Sequence, residues 1–220
     1  MNALDIQITK AILSAGVGSI TFREDQILYD EEHELVLLKS DHLLPLGEAL
    51  LEVHFNGKIN SQLFGFYRSK WIKDGVTHWI GTTQFQPADA RRAFPCWDEP
   101  ALKATFSMKI TTEQDNNVLS NMEPQETIFH NCPDSDKQCQ TVQFHPSPLM
   151  SSYLVAYTIG KFSFIEGVSE QGTIVRVWSV PDKIHLGHFS LDIGIKFLNF
   201  FETYFNIPYP LSKLDMIAVP

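Results

Sequence analysis

The chain has few of the features that assign a class at once. It has three cysteines in 220 residues, too sparse and odd a set for a secreted disulfide framework. It contains no apolar run near the roughly 20 residues that span a bilayer, so no membrane segment is expected. Met1 is followed by strand-like alternation, not by the pattern of a secretory leader. Basic residues are outnumbered, 17 Lys and Arg against 26 Asp and Glu, for a net charge of −9. Phosphate backbones need a basic face, which argues against nucleic acid as a general partner. There is no repeat period and no low-complexity stretch. A zinc-binding helix is missing as well: the closest approach is His33-Glu34, and Leu37 stands where a second histidine is required. His185 and His188 lie three apart with no carboxylate or cysteine in phase and read as a solvated pair. Ser151-Ser152 has no nucleophile elbow around it. No catalytic residue and no metal ligand is therefore expected in this chain.

What is present is a globular composition, 44% hydrophobic and 12% aromatic, with enough apolar material for a core. Short β-branched and aromatic runs alternate with polar residues: LDIQI, ELVLL, ALLEVHF, THWIGTTQF, ATFSMKI, TVQFH, YLVAYTI and TIVRVWS. Turn compositions such as LPLG, FNGKIN, KDG and EQDNN separate them. The pattern predicts an antiparallel β domain of sandwich or saddle type over residues 1–180. Beyond Pro181 the period changes. Phe189, Ile193, Phe197, Phe200 and Tyr204 follow helical spacing, widened by Leu198, Phe201 and Phe205. A helix over 183–205 is predicted, capped by Asp182 and stopped by Asn206 and Pro208. Almost nothing in the chain follows to cover so broad a stripe. Residues 181–220 read as the start of a second domain, and trimming them should relieve self-association through the exposed face.

The densest stretch is TTQFQPADARRAFPCWDEP, from Thr82 to Pro100. On a strand, Gln84 and Gln86 project to one face and Phe85 to the other, and Pro87 ends the ladder. Two neutral amides aimed at one place suit a polar group such as a free amine; they equally suit a solvated edge strand. Asp89, Arg91, Arg92, Asp98 and Glu99 carry both signs in close order and read as an ion-pair and capping network rather than as acid–base groups. Phe94, Pro95 and Trp97 should plug the loop into the core, with Cys96 as a buried free thiol. Cys132 and Cys139 flank the polar loop NCPDSDKQC. They either bridge in an oxidising compartment or stay reduced, and the reduced reading is preferred for want of other secretory features. Gln26, in the turn-like EDQ segment, is expected to matter little.

The Thr82–Pro100 stretch resembles the signature of the N-terminal domain of the M1 family of zinc aminopeptidases, the puromycin-sensitive and aminopeptidase-N-like enzymes. LFGFYRSKW, LKATFSMKI, VLSNMEP, LMSSYLVAYTIGKF, RVWSVP and FFETYFNIPYPLSKLDMIAVP fit in the same order. The resemblance implies an intact enzyme that removes N-terminal residues from peptides with one Zn2+, whose glutamate-bearing zinc motif and GAMEN-type motif lie beyond Pro220. The chain then reads as a piece of a longer enzyme, lacking the first strands of its β domain and all but the first helix and strand of a thermolysin-like α/β catalytic domain. By itself it should be inactive and metal-free. The resemblance places Gln86 against the substrate's α-amino group and Gln84 along the pocket for the first side chain. Its partners are peptide substrates and the missing catalytic domain, and its expected compartment is the cytoplasm.

Overall fold

The computed structural model describes residues 1–16, 18–44, 46–133 and 135–220. Strand accounts for 46% of the chain, the mainly β architecture that the alternation predicts, and the chain divides into two compact units.

Unit 1 holds Met1–Tyr67, Thr83–Ala104 and Met150–Val155. Its sheet has the order β2-β1-β5, with β1 Ile6–Ala15, β2 Gly18–Phe22 and β5 Leu50–Gly57, all antiparallel. β3 (Ile27–Asp30) and β4 (Leu35–Leu38) form a separate hairpin. Ala3, Ile6, Ile8, Ala11, Phe22 and Val36 make the core. Period-2 alternation along β1 puts Ile6 and Ile8 on the inner face, and a register shift between Ile8 and Lys10 resets the phase so that Ala11 also points inward. Gln26 is a correction to the sequence reading. It is 6% exposed; its Oε1 accepts from the Arg23 amide at 2.9 Å and its Nε2 donates to Asp41 at 2.9 Å. A short polar turn was legible, but a side chain folded back under its own turn was not.

Unit 2 holds Arg68–Thr82, Thr105–Leu149 and Ala156–Pro220. Here β6 (Gly65–Lys73), β7 (Val76–Gln84), β12 (Tyr157–Gly160) and β9 (Asn117–Ser120) form a four-stranded sheet in the order β6-β7-β12-β9. Consecutive residues of β9 face opposite ways, so the sheet has two apolar faces. Val118 packs with Val142 and Phe144 of the sheet β10-β11-β8, where β8 is Lys109–Glu113, β10 Pro124–Asn131 and β11 Gln138–Phe144. Leu119 packs with Trp71, Ile80, Phe162, Trp178 and Val180 on the other side. The third sheet is β13-β14-β15, Ser163–Val168, Ile174–Ser179 and Lys213–Ile217. β13 and β14 are antiparallel, but β15 pairs parallel to β14 after a crossover through α1, His188–Phe205.

The helix departs from its prediction at one end only. Pro181–Leu186 forms a 3-10 turn, and the α-helix begins at His188 after Gly187. A Cβ on Gly187 would stand 3.1 Å from the Ile184 carbonyl and from Val177. Asn206 ends the helix in the left-handed region, φ 52°, its amide bonded to the Glu202 and Thr203 carbonyls. Gly194 and Leu198 are the buried positions of α1. A Cβ on Gly194 would meet the end of the Met216 side chain at 2.5 Å, so a larger residue there would have to push that methionine aside. The predicted aromatic stripe lies on the open side.

β15 is tied in firmly. Lys213 and Asp215 form an ion pair with side chains 5% and 8% exposed. The Lys213 ammonium also donates to the Ser120 carbonyl at 2.7 Å, and Trp178 Nε1 donates to Asp215 at 2.8 Å. Cutting the chain at residue 180 would strip a paired strand from β14 and leave Trp178 Nε1 without its acceptor, so the relief expected from trimming 181–220 is not what this packing supports.

Candidate functional site

The Thr82–Pro100 stretch passes out of β7 into a loop of unit 1. β7 ends at Gln84, so Gln86 lies in the turn that follows rather than on the strand. The alternation survives this change. Phe85 is 2% exposed and meets Phe94 edge-on at 5.9 Å, whereas Gln84 and Gln86 are both exposed. The buried ring between them holds the two amides on the open side. Gln84 Nε2 donates to the Gln86 carbonyl at 3.3 Å. That bond spaces the two residues and leaves the Gln84 amide oxygen turned to other uses.

The loop behind them is held by charge. Arg91 Nε pairs with Asp98 at 2.9 Å and Arg91 Nη1 with Glu34 at 2.8 Å. The Asp98 carboxylate, only 2% exposed, also accepts from Ser152 Oγ at 2.5 Å. Burial pulls the Arg91 guanidinium down, but the hydrogen bonds to Asp98 and Glu34 outweigh it and leave its pKa raised. Arg92 pairs with Asp89 at 3.0 Å and Asp5 at 2.7 Å, and its guanidinium lies 4.7 Å over the Phe64 ring. Gly65, at φ +65°, gives Arg92 room: a Cβ there would stand 3.0 Å from the Arg92 Cβ.

These contacts agree with the network read from the sequence for Asp89, Arg91, Arg92 and Asp98. They also add Glu34, Asp5, Asn2 and Ser152, which sequence distance had hidden. Asn2 bridges by accepting from the Asp98 amide at 3.1 Å. Cys96 is a buried free thiol, as expected, and burial pushes it up to about 12, with the Asp98 charge adding to the effect. Trp97 is a correction. It is 58% exposed instead of filling the core, whereas Phe94 meets the buried Phe85.

A concavity of about 620 Å3 in the same unit is lined by Ala3 to Gln7, Tyr29 to Glu31, Leu35 and Asn56 to Lys58. Neither glutamine borders it. Its polar groups are largely engaged, Asp5 with Arg92 and the Tyr29 hydroxyl with the Ile8 amide, so it adds nothing to the glutamine site. Among the described residues no three His, Cys, Asp or Glu side chains come together as a metal site. His33 is engaged by Asp30 at 2.9 Å. Cys132 and Cys139 are bridged, which overturns the preference for reduced thiols. Among the described residues no helix is long and apolar enough to cross a membrane.

Comparison with known proteins agrees with the resemblance. The family model of the peptidase M1 N-terminal domain matches residues 1–154. Aminopeptidase M1-C of rice is 43% identical over 223 residues, covering all of this chain and 24% of the relative. Aminopeptidase N of rat is 39% identical across 88% of the chain, and puromycin-sensitive aminopeptidase of Caenorhabditis elegans 37% across 87%. The chain spans about a quarter or less of the length of these relatives.

Proposed function

The chain belongs to the peptidase M1 family through that family's N-terminal domain, and on this premise we propose that it forms the part of an aminopeptidase that receives the free N-terminus of a peptide. The supporting observation is the pair Gln84 and Gln86, held outward on either side of the buried Phe85. Gln86 accepts from the substrate α-ammonium, and Gln84 lines the space for the first side chain. A neutral amide oxygen accepts from an ammonium without the desolvation cost of a further carboxylate. The Arg91–Asp98 and Arg92–Asp89 pairs fix the loop, so the backbone that carries the amides need not be ordered on binding.

Zinc, which the family's activity implies, finds no group of three His, Cys, Asp or Glu side chains to hold it among the described residues. In this reading the metal and the bond-breaking groups belong to polypeptide outside it. Residues 181–220 open the catalytic domain, and the aromatic face of α1 docks against the remainder of that domain. The 220-residue chain alone is inactive, and the protein works in the cytoplasm.

The test is a chimera in which this chain replaces the matching quarter of rice aminopeptidase M1-C. It should hydrolyse aminoacyl arylamides. Hydrogen bonds to a charged group are worth about 1.5–3 kcal/mol, so Gln86→Ala should lower kcat/KM by roughly 10- to 150-fold. Gln171→Ala, on an exposed turn of unit 2, serves as the control. Activity within about twofold of the parent chimera would make Gln86 a solvated loop residue and sink the assignment.

A further inference from the structure

Cys132 and Cys139 close the tip of the β10–β11 hairpin, and we infer that their bridge is an exchangeable disulfide, a redox-responsive clip whose co-reactant is a small thiol of the glutathione class. The peptidase reading plays no part in this inference. The bridge runs diagonally across the tip, Cα to Cα 5.0 Å: Cys139 is the ladder partner of His130, and Cys132 lies one step beyond the last pair, Asn131 and Gln138. The Cys132 amide bonds to the Lys137 carbonyl at 3.0 Å, Gln138 Nε2 donates to Asn131 at 2.7 Å, and Lys137 pairs with Glu113 at 2.6 Å. With only 7 residues separating them in sequence, the two thiols stay near each other even when the tip frays, so re-oxidation closes a short loop.

Exposure is unequal, and that sets the direction of attack. Cys139 is 6% exposed, whereas Cys132 is only partly buried. A glutathione thiolate reaches the Cys132 sulfur and forms a mixed disulfide there. The S–S bond breaks, its electron pair leaves on Cys139 Sγ, and that sulfur takes a proton from water. A second thiolate attacks the glutathione sulfur of the mixed disulfide and frees the Cys132 thiolate. Two glutathiones become one glutathione disulfide, and the protein disulfide becomes two thiols; re-oxidation is the reverse. The remaining cysteine does not compete, since Cys96 is buried and its thiol stays protonated at neutral pH.

The clip acts on an exposed strand. β10 is the edge of its sheet, with Ile128 and Phe129 at the surface. Opening the bridge leaves the tip held by a few hydrogen bonds and one exposed ion pair, so the strand end frays.

The intact 220-residue chain is equilibrated in glutathione buffers of graded oxidation, quenched with an alkylating agent and read by peptide mass. The bridged fraction should pass from nearly all to nearly none across the series with a two-electron slope, while Cys96 stays unmodified until denatured. Trypsin should cut after Lys137 about tenfold or more faster in the reduced protein. Cys132→Ser should cut at the reduced rate in every buffer, and Cys96→Ser should keep the response. A pair that stays fully thiol in the most oxidising buffer, a bridge untouched in the most reducing one, or a Lys137 cleavage rate independent of the buffer would each overturn the inference. The alkylation readout needs no variant and stands even if the serine proteins fold poorly.

Discussion

Two aromatic clusters of this chain are alike in composition and opposite in fate. In the loop of unit 1, Phe85 and Phe94 meet edge to face, and Phe85 is shielded almost completely. Along α1 of unit 2, Phe197, Phe200, Phe201, Tyr204 and Phe205 touch one another, yet Phe200 is 56% and Phe205 60% exposed. The first cluster contributes its burial to this chain's own stability. The second gains little from the chain, because α1 lays Leu198 and Gly194 against its sheet and turns its rings away. Apolar area stabilises only where something covers it. A face of this size left open is an interaction surface or a route to aggregation.

The contrast can be broken by substitution. Phe85→Ala should cost about 3–5 kcal/mol of unfolding free energy, because the ring is enclosed and the loop cannot collapse around the loss. Phe200→Ala should change it by no more than about 0.5 kcal/mol. Denaturant titration of both variants decides: equal losses would mean that the helix face is covered in solution. Sedimentation or light scattering completes the comparison, since Phe197→Glu with Phe200→Lys should reduce self-association that Phe85→Ala leaves untouched or worsens.

Charge offers a second contrast of nearly the same size. Asp98→Ala leaves the Arg91 guanidinium, 13% exposed, without its most buried partner, and should cost about 3–5 kcal/mol. Lys196→Ala, which breaks the exposed pair with Asp192 on α1, should cost less than about 0.5 kcal/mol. Comparable losses would show that the loop network is solvated rather than enclosed.

A third contrast lies in alkali. Burial, with the Asp98 charge, raises the Cys96 thiol from 9.0 to about 12. A raised acid favours folding fully below its unfolded value, and that contribution is lost as pH climbs from 9.0 through about 12. Stability of the parent should therefore decline over this window, and Cys96→Ala should flatten the slope. Some slope should persist, because burial also raises Tyr67 of the same unit. An unchanged slope in Cys96→Ala would mean that the thiol is open to water.

The sequence by itself determined what depends on neighbours along the chain. Period-2 alternation foretold a β architecture, the change of period placed a helix, and Asn206 marked its end to the residue. The same local logic put Phe85 inward and its flanking glutamines outward, and paired the charges of Asp89, Arg91, Arg92 and Asp98. Strands with weak alternation escaped it: β10 is exposed almost throughout, and β13 exposes Phe164 and Val168, so neither shows the one-sided pattern that marks a strand. Tertiary structure decided the rest, for one physical reason: distant residues compete for the same space and the same hydrogen bonds. Of the aromatic residues expected in the core, Phe94 reached Phe85 while Trp97 stayed at the surface, Ser152 and Glu34 joined a network legible only around residues 89–99, and KLDMI became a parallel strand bolted by Lys213 and Asp215 to Ser120 and Trp178. Which partner covers a surface is never written in the segment that presents it.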